Sequence, residues 1–209
     1  MAIEVYNSYP LKRPFIKSKG FCPNPIAKHG IPYYADSAAN PKVIGTPAWT
    51  EFWEEQFHYI LNGYITAGVY IPPRYYHFLN FCKLSSVDAG EPHYPDYVDT
   101  QYELALLVEE AKRIKWNIIT PKGGRKGLSE TASSIIDYGY RFTKGYHAGI
   151  AAGAKEYSDD FLAKWKSMDS LMVNEFKVRK LSKGWDDIIA GWEEKQDVGG
   201  YADFGTIFA

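Results

Sequence analysis

The stretch WNIITPKGGRKGLSE, residues 116–130, decides the fold that the sequence predicts. Residues 116–120 form a short apolar run that ends at a proline, which is typical of a buried strand. A basic, glycine-rich loop follows, and residues 131–142 show the apolar spacing of a helix, with Ala132, Ile135, Ile136 and Tyr140 inward. The small residues at 147–153 predict a second strand, and Ser158 predicts the cap of a further helix. This order predicts an α/β fold with a parallel sheet and crossover helices.

The loop within this stretch has the residue types that bind phosphate. Glycines let backbone N–H groups converge on an anion, a cation meets the β- and γ-phosphates, and a hydroxyl serves magnesium. A helix that starts directly after the loop points its N-terminus at the same anion. The predicted nucleotide-binding residues of the loop are Lys122, Gly123, Gly124, Arg125, Lys126, Gly127, Leu128 and Ser129, with Ser129 as the magnesium ligand.

The loop departs from the pattern GxxxxGK[ST]. When Gly127 is aligned with the second glycine, Leu128 occupies the lysine position and Lys122 the first glycine position. The sequence leaves open whether Lys122, Arg125 or Lys126 contacts phosphate. The alternative is a solvated basic turn between two elements.

Composition and charge argue against several other classes of protein. The chain has 209 residues, 45% of them hydrophobic and 16% aromatic, which is not the composition of a disordered protein. A net charge of −1 gives no global basic field for nucleic acid. Cys22 and Cys82 lie far apart, and the five histidines show no HExxH pattern, so no metal site is predicted. With no signal peptide and no membrane-length apolar run, a soluble, cytosolic protein is expected.

Three segments are predicted along the chain. Residues 1–46, rich in proline and glycine, form an extended arm, residues 47–98 an aromatic-rich helical segment, and residues 99–209 the first part of an ATPase domain. Thr46-Pro47 begins a helix that Asn62-Gly63 ends, and a strand follows at Tyr64–Ile71. Pro72-Pro73 opens a second aromatic helix, and Thr100 with Glu103 predicts a capping box for the next.

Three stretches together resemble the large terminase subunit of tailed phages, in a branch with a deviant Walker A motif. They are GTPAWTEFWEEQFHYILNGY followed by IPPRYYHFLNFCKL, then PDYVDTQYELALLVEEAKR, and finally KGGRKGLSE, which is similar to the K-x-R-R-x-G-x-S loops of that branch. The resemblance covers roughly residues 30 to 209. It implies a P-loop NTPase-like sheet, incomplete here, preceded by an aromatic-rich, mostly helical segment.

The resemblance also implies function, cofactors and partners. It implies ATP and Mg²⁺ as cofactors for the translocation of double-stranded viral DNA into the capsid, in the cytoplasm of the bacterial host. Its partners would be the portal protein and the small terminase subunit, and the full-length protein would form a homo-oligomeric ring. Such ATPases often place a glutamine against adenine, a position that Gln101 with Tyr102 matches; the alternative for Gln101 is an exposed place in the first turn of a helix. Asp99 either orients the loop or caps that helix.

The chain departs from this family in its acidic motif. The nearest candidate for the magnesium-binding and water-activating acids, residues 188–194, has the spacing of an ordinary amphipathic helix. Residues 1–209 are therefore expected to bind nucleotide without appreciable turnover. Two alternatives stay open: a non-catalytic interaction module of a phage packaging complex, and a small kinase-like enzyme, which the missing lysine after Gly127 disfavours.

Overall fold

The computed structural model describes residues 19–85, 91–120, 127–143, 146, 148–150, 152 and 155–172. These residues form six helices and one β-hairpin. In chain order they are α1 (Pro25–His29), α2 (Pro47–Asn62), β1 (Tyr64–Thr66), β2 (Val69–Ile71), α3 (Pro73–Phe81), α4 (Asp99–Ile114), α5 (Leu128–Phe142) and α6 (Lys155–Ser170). Among the described helices, none combines the length and the apolar character needed to cross a membrane.

Helix α2 begins and ends where the sequence predicts. The Thr46 hydroxyl oxygen accepts a hydrogen bond from the backbone N–H of Trp49 at 3.1 Å, and Pro47 occupies the first turn. At the other end Gly63 adopts a φ of 88° and donates its N–H to the Tyr59 carbonyl. A side chain at Gly63 would be strained and would also displace the Tyr70 ring, because its Cβ would lie 2.4 Å from that ring.

The single strand predicted for residues 64–71 is instead a two-stranded antiparallel hairpin. Strands β1 and β2 pair with Tyr64 opposite Ile71 and Thr66 opposite Val69. Ala67 and Gly68 form the turn with φ values of 46° and 76°. Positive φ at both central residues is the conformation of the tight turn that matches strand twist. The prediction was wrong because the apolar pattern continues through a turn whose first residue is an alanine.

Helix α3 is the centre of the molecule, because all nine of its residues are buried. Pro72 and Pro73 start it, as the sequence predicts. Its aromatic side chains pack with rings from α2, the hairpin and α4. This aromatic core includes Trp53, Tyr64, Tyr75, Tyr76, Phe78, Phe81, Tyr97 and Tyr102. One cluster of buried residues thus joins side chains from the predicted segments 47–98 and 99–209.

Helix α4 forms as predicted, but its N-terminus differs. The helix begins at Asp99 after Val98, no side chain caps it, and Thr100 lies inside the first turn. The predicted capping box is therefore wrong, as is the suggestion that Asp99 caps the helix. At its C-terminus Lys115 adopts the left-handed conformation with a φ of 57°, and its N–H bonds the Ala111 carbonyl.

Residues 116–120 form no strand, contrary to the prediction. Trp116 and Ile119 are 47% and 93% exposed, so the apolar run does not gain the burial that would favour a strand. Residues 148–150 and 152 are not in a strand either, and the rest of 147–153 lies outside the described residues, as does 201–209. Within the described part of the chain the sheet is the antiparallel hairpin alone. The parallel sheet with crossover helices stays a prediction.

Helix α5 is present, but it buries a different face from the predicted one. Ile135 and Ile136 are half-buried and Tyr140 is 41% exposed, although all three were expected to face inward. The buried residues of α5 are Thr131, Ser133, Ser134, Asp137, Tyr138 and Gly139. Helix α6 packs on α5 and buries Trp165 and Met168, two residues of its predicted apolar side. The buried face of α5 is mostly polar, and it packs against α3.

Candidate functional site

The N-terminus of α5 is the described part of the predicted phosphate-binding loop. Gly127 is the N-cap residue, with a φ of 66°, and no side chain caps the helix. Its carbonyl accepts the first bonds of the helix, from the N–H and the hydroxyl of Thr131, both at 3.1 Å. The preceding N–H groups of the first turn have no partners within the helix, and the helix dipole makes this end attractive to anions.

Gln101 in the first turn of α4 lies against this N-terminus. Its side-chain Nε2 donates to the Gly127 carbonyl at 3.4 Å, and the residue is 6% exposed. Among the residues that the structure describes, its buried Oε1 has no hydrogen-bond partner. Leaving a buried acceptor unsatisfied costs about 1–3 kcal/mol. A Cβ at 127 would lie 2.4 Å from Nε2 and would displace the Gln101 side chain, and the φ of 66° also favours glycine there.

The other predicted site residues divide into three groups. Lys122, Gly123, Gly124, Arg125 and Lys126 lie outside the described residues. Leu128 and Ser129 form the start of α5 and are half-buried, and the Ser129 carbonyl accepts from the Ser133 hydroxyl at 2.9 Å.

Tyr102 forms the third group, because its ring belongs to the aromatic core. Its hydroxyl donates to the Tyr70 carbonyl at 2.9 Å, and its ring contacts those of Tyr75 and Tyr97. Burial raises the pKa of this phenol. The structure thus brings Gln101, but not the neighbouring ring, to the start of α5.

One acidic residue lies in the first turn of α5. Glu130 pairs with Lys164 of α6 at 3.0 Å. This pair neutralises a carboxylate that would otherwise repel an anion at the same helix end.

A second constellation is buried between α3, α5 and α6, and the sequence did not predict it. The buried polar cluster consists of His77, Cys82, Ser134, Asp137, Arg141 and Asp169. The imidazole of His77 lies between the thiol and the carboxylate. Its Nδ1 is 3.5 Å from the Cys82 Sγ, and its Nε2 is 3.6 Å from an Asp137 oxygen.

An ion-pair chain completes this cluster. The Arg141 Nε contacts both carboxylate oxygens of Asp137, at 2.9 and 3.1 Å. The same guanidinium donates to Asp169 of α6 through Nη2. The Ser134 hydroxyl lies 3.6 Å from the Cys82 Sγ. Polar side chains of α3, α5 and α6 are thereby joined in one network.

Burial sets the protonation states within the cluster. Desolvation, with the positive charge of Arg141 adding to it, lowers the pKa of His77 to about 3, so the ring is neutral at pH 7. Desolvation raises the pKa of Asp137 to about 6, although Arg141 opposes this shift. The pKa of the Cys82 thiol is raised well above its ordinary value, chiefly by burial. The thiol, imidazole and carboxylate are arranged in space as in a catalytic triad. A neutral thiol that is 0% exposed is nevertheless not a nucleophile for external substrates.

Sequence reasoning missed this cluster because its members are distant in the chain. His77 lies within α3, and Cys82 directly follows that helix. Asp137 and Arg141 are one helical turn apart on α5. Neither pair has a recognised metal or catalytic spacing. The available signal was the Asp137–Arg141 spacing, which places opposite charges on one face of a helix.

Comparison of the chain with protein-family models, with curated proteins and with solved structures found no match.

Proposed function

We propose that this chain is the N-terminal, ATP-binding part of a phage large terminase subunit, which uses ATP and Mg²⁺ to drive double-stranded viral DNA into the capsid. The observation that carries the proposal is the contact between Gln101 and Gly127. The resemblance assigned these two residues to one nucleotide site although they lie 26 residues apart in the chain. Their proximity is what a shared site requires.

In this proposal the phosphates lie against the first turn of α5. The backbone N–H groups after Gly127 donate to phosphate oxygens, and a cation from Lys122, Arg125 or Lys126 neutralises their charge. The Ser129 hydroxyl would ligate Mg²⁺, which would supply positive charge to offset that of the phosphates. The buried Oε1 of Gln101 accepts a hydrogen bond from the adenine amino group, which would satisfy that atom.

A thermal-shift titration with ATP, with and without Mg²⁺, tests this proposal. A ligand present at one hundred times its Kd stabilises the folded state by about 2.7 kcal/mol. We expect the shift in the unmodified chain and in Thr100→Ala, an exposed neighbour on α4. We expect it to be reduced in Gln101→Ala and Ser129→Ala and lost in Lys122→Ala. The absence of any Mg²⁺-dependent shift at millimolar ATP would contradict the nucleotide site.

Turnover is a separate expectation. Phosphoryl transfer needs a group that orients water, and residues 1–209 offer no convincing one. We therefore expect ATP binding without steady-state hydrolysis. Robust hydrolysis that Ser129→Ala abolishes would show that the missing acid lies within this chain.

The second candidate is a non-catalytic interaction module of a packaging complex. It is favoured by exposed apolar side chains in the predicted arm: Tyr33, Tyr34 and Ile44 are 70%, 54% and 76% exposed. The two candidates differ in their response to nucleotide. A chain that shows no ATP response, but whose retention by a portal protein is lost in Tyr33→Ser, would favour the interaction module.

A further inference from the structure

We propose that the buried polar cluster is a Zn²⁺ site, with His77, Cys82 and Asp137 as the ligands. One ring nitrogen of His77, the Cys82 Sγ and a carboxylate oxygen of Asp137 all lie within 4.8 Å of one another. All three residues are 0% exposed. The proposal is independent of the nucleotide site, because none of these three ligands is among the residues proposed to bind nucleotide.

The donor types fit zinc. Zn²⁺ is bound by imidazole nitrogen, thiolate sulfur and carboxylate oxygen at about 2.0–2.3 Å, usually with tetrahedral geometry. Ligand atoms around such an ion lie about 3.3–3.8 Å apart. Whichever ring nitrogen binds, one distance is already in that range, either 3.5 Å from sulfur to Nδ1 or 3.6 Å from carboxylate to Nε2, and the other ligand pairs lie within 4.8 Å. A single ion uses only one ring nitrogen, so side-chain shifts of about 1 Å would close the site around it.

Charge also favours a cation here. Two carboxylates, Asp137 and Asp169, face the single guanidinium of Arg141, which leaves one negative charge in a buried setting. When Zn²⁺ binds, the Cys82 thiol forms the zinc–sulfur bond and releases its proton to solvent. The two positive charges of the ion then balance the thiolate and the excess carboxylate. The cluster becomes neutral overall.

The surroundings provide the support that metal ligands need. Arg141 holds the Asp137 carboxylate through both oxygens and is itself held by Asp169. The Ser134 hydroxyl, 3.6 Å from the sulfur, is placed to hydrogen bond the thiolate or to approach the fourth coordination position. The ring of Phe81 stacks on the imidazole with a centroid distance of 6.3 Å, and the ring of Phe142 meets it edge to face at 5.4 Å. A closed site of this kind is structural and would fasten α3 to α5.

Cobalt substitution of the whole chain tests the site. The protein is stripped with a chelator and titrated with Co²⁺, whose bond to a thiolate gives a near-ultraviolet charge-transfer band. We expect one Co²⁺ per chain, a thiolate band, and displacement of Co²⁺ by Zn²⁺. We also expect Zn²⁺ to raise the thermal midpoint, because the ion binds the folded chain.

The two cysteines allow a matched control. Cys22 lies outside the cluster, with its Sγ 4.0 Å from His29, so Cys22→Ser should keep the band and the zinc-dependent shift. Cys82→Ser should lose both. The Cys22→Ser result assigns the thiolate even if Cys82→Ser does not fold. No band in the unmodified chain, or a band lost in Cys22→Ser, overturns the proposal.

Discussion

The aromatic core and the buried polar cluster meet at the same helix, α3, yet they are held together by different forces. Tyr75, Tyr76 and Phe78 pack against other rings, and their few polar atoms bond to nearby groups. His77 on the same helix faces instead a carboxylate, a thiol and a guanidinium. Burial alone therefore does not indicate how a region is stabilised.

The aromatic core and the buried polar cluster should also differ in how well they tolerate substitutions. Removing methyl groups from an apolar core leaves a cavity, and its cost grows with cavity size. Removing one partner from a buried ion network leaves a charge without compensation, which costs about 3–5 kcal/mol. The polar cluster should therefore be the more sensitive of the two regions to single substitutions.

The largest effect is expected for Arg141→Ala. The side chain is 8% exposed and compensates Asp137, which is 0% exposed. Loss of one partner of a buried pair costs about 3–5 kcal/mol. The free energy of unfolding in urea, measured with a chelator present to keep metal out, tests this. Lys164→Ala is the control, because its pair with Glu130 is largely exposed and should contribute about 0–1 kcal/mol. Equal losses in both variants would show that the cluster is not desolvated.

A similar or smaller loss is expected for Leu79→Ala in the aromatic core. Leu79 is 0% exposed on α3, and such truncations cost about 2–5 kcal/mol. Leu61→Ala at the end of α2, where the side chain is 52% exposed, should change the free energy of unfolding little. If Leu79→Ala exceeded Arg141→Ala, the ranking of the two regions would be reversed.

Alkaline pH should weaken the aromatic core. Burial raises the pKa of Tyr75 and Tyr76 above the ordinary 10.0. Below pH 10 both phenols are neutral in either state and their contribution is fully present. Above it they ionise only in the unfolded chain, so each loses about 1.4 kcal/mol of stability per pH unit until the folded pKa is reached. Urea unfolding at several pH values, with tyrosinate absorbance recorded, measures this loss, and a flat profile above pH 10 would contradict the burial of these phenols.

The smallest effect compares two threonines at helix starts. Thr46 accepts from the Trp49 N–H and caps α2, so Thr46→Ala should cost about 1 kcal/mol. Thr100, which the sequence predicts as a cap, lies inside α4 and makes no cap bond. Thr100→Ala should therefore leave the unfolding midpoint nearly unchanged. Equal losses would restore the predicted capping box.

The aromatic core was more predictable from the sequence than the polar cluster. The helix that begins at Pro47, the helix after Pro72-Pro73 and α4 all follow from local signals that act within a few residues. The hairpin was missed because Ala67 adopts a positive φ that alanine rarely favours. The buried face of α5 was missed because its partner, α3, presents His77 to the Asp137 carboxylate, and a polar partner selects the polar face.

The two candidate sites show the same limit. Gln101 and Gly127 were selected by resemblance, but their contact depends on how α4 and α5 pack. The buried polar cluster has no sequence signature, because its histidine and cysteine belong to α3 and its C-cap, whereas its aspartate comes from α5. The spacing of apolar residues indicates which face an isolated helix or strand can bury. It does not indicate which side chains the neighbouring element places against that face.

The complete burial of α3 has a consequence for the motions of the protein. Each of its nine residues is enclosed, so no local opening can expose its amides without separating α2, α4 and α5 as well. Its backbone N–H groups should accordingly exchange with solvent deuterium only through global unfolding, at the slowest rates in the chain. The exchange rate at α3 would then measure the stability of the entire domain.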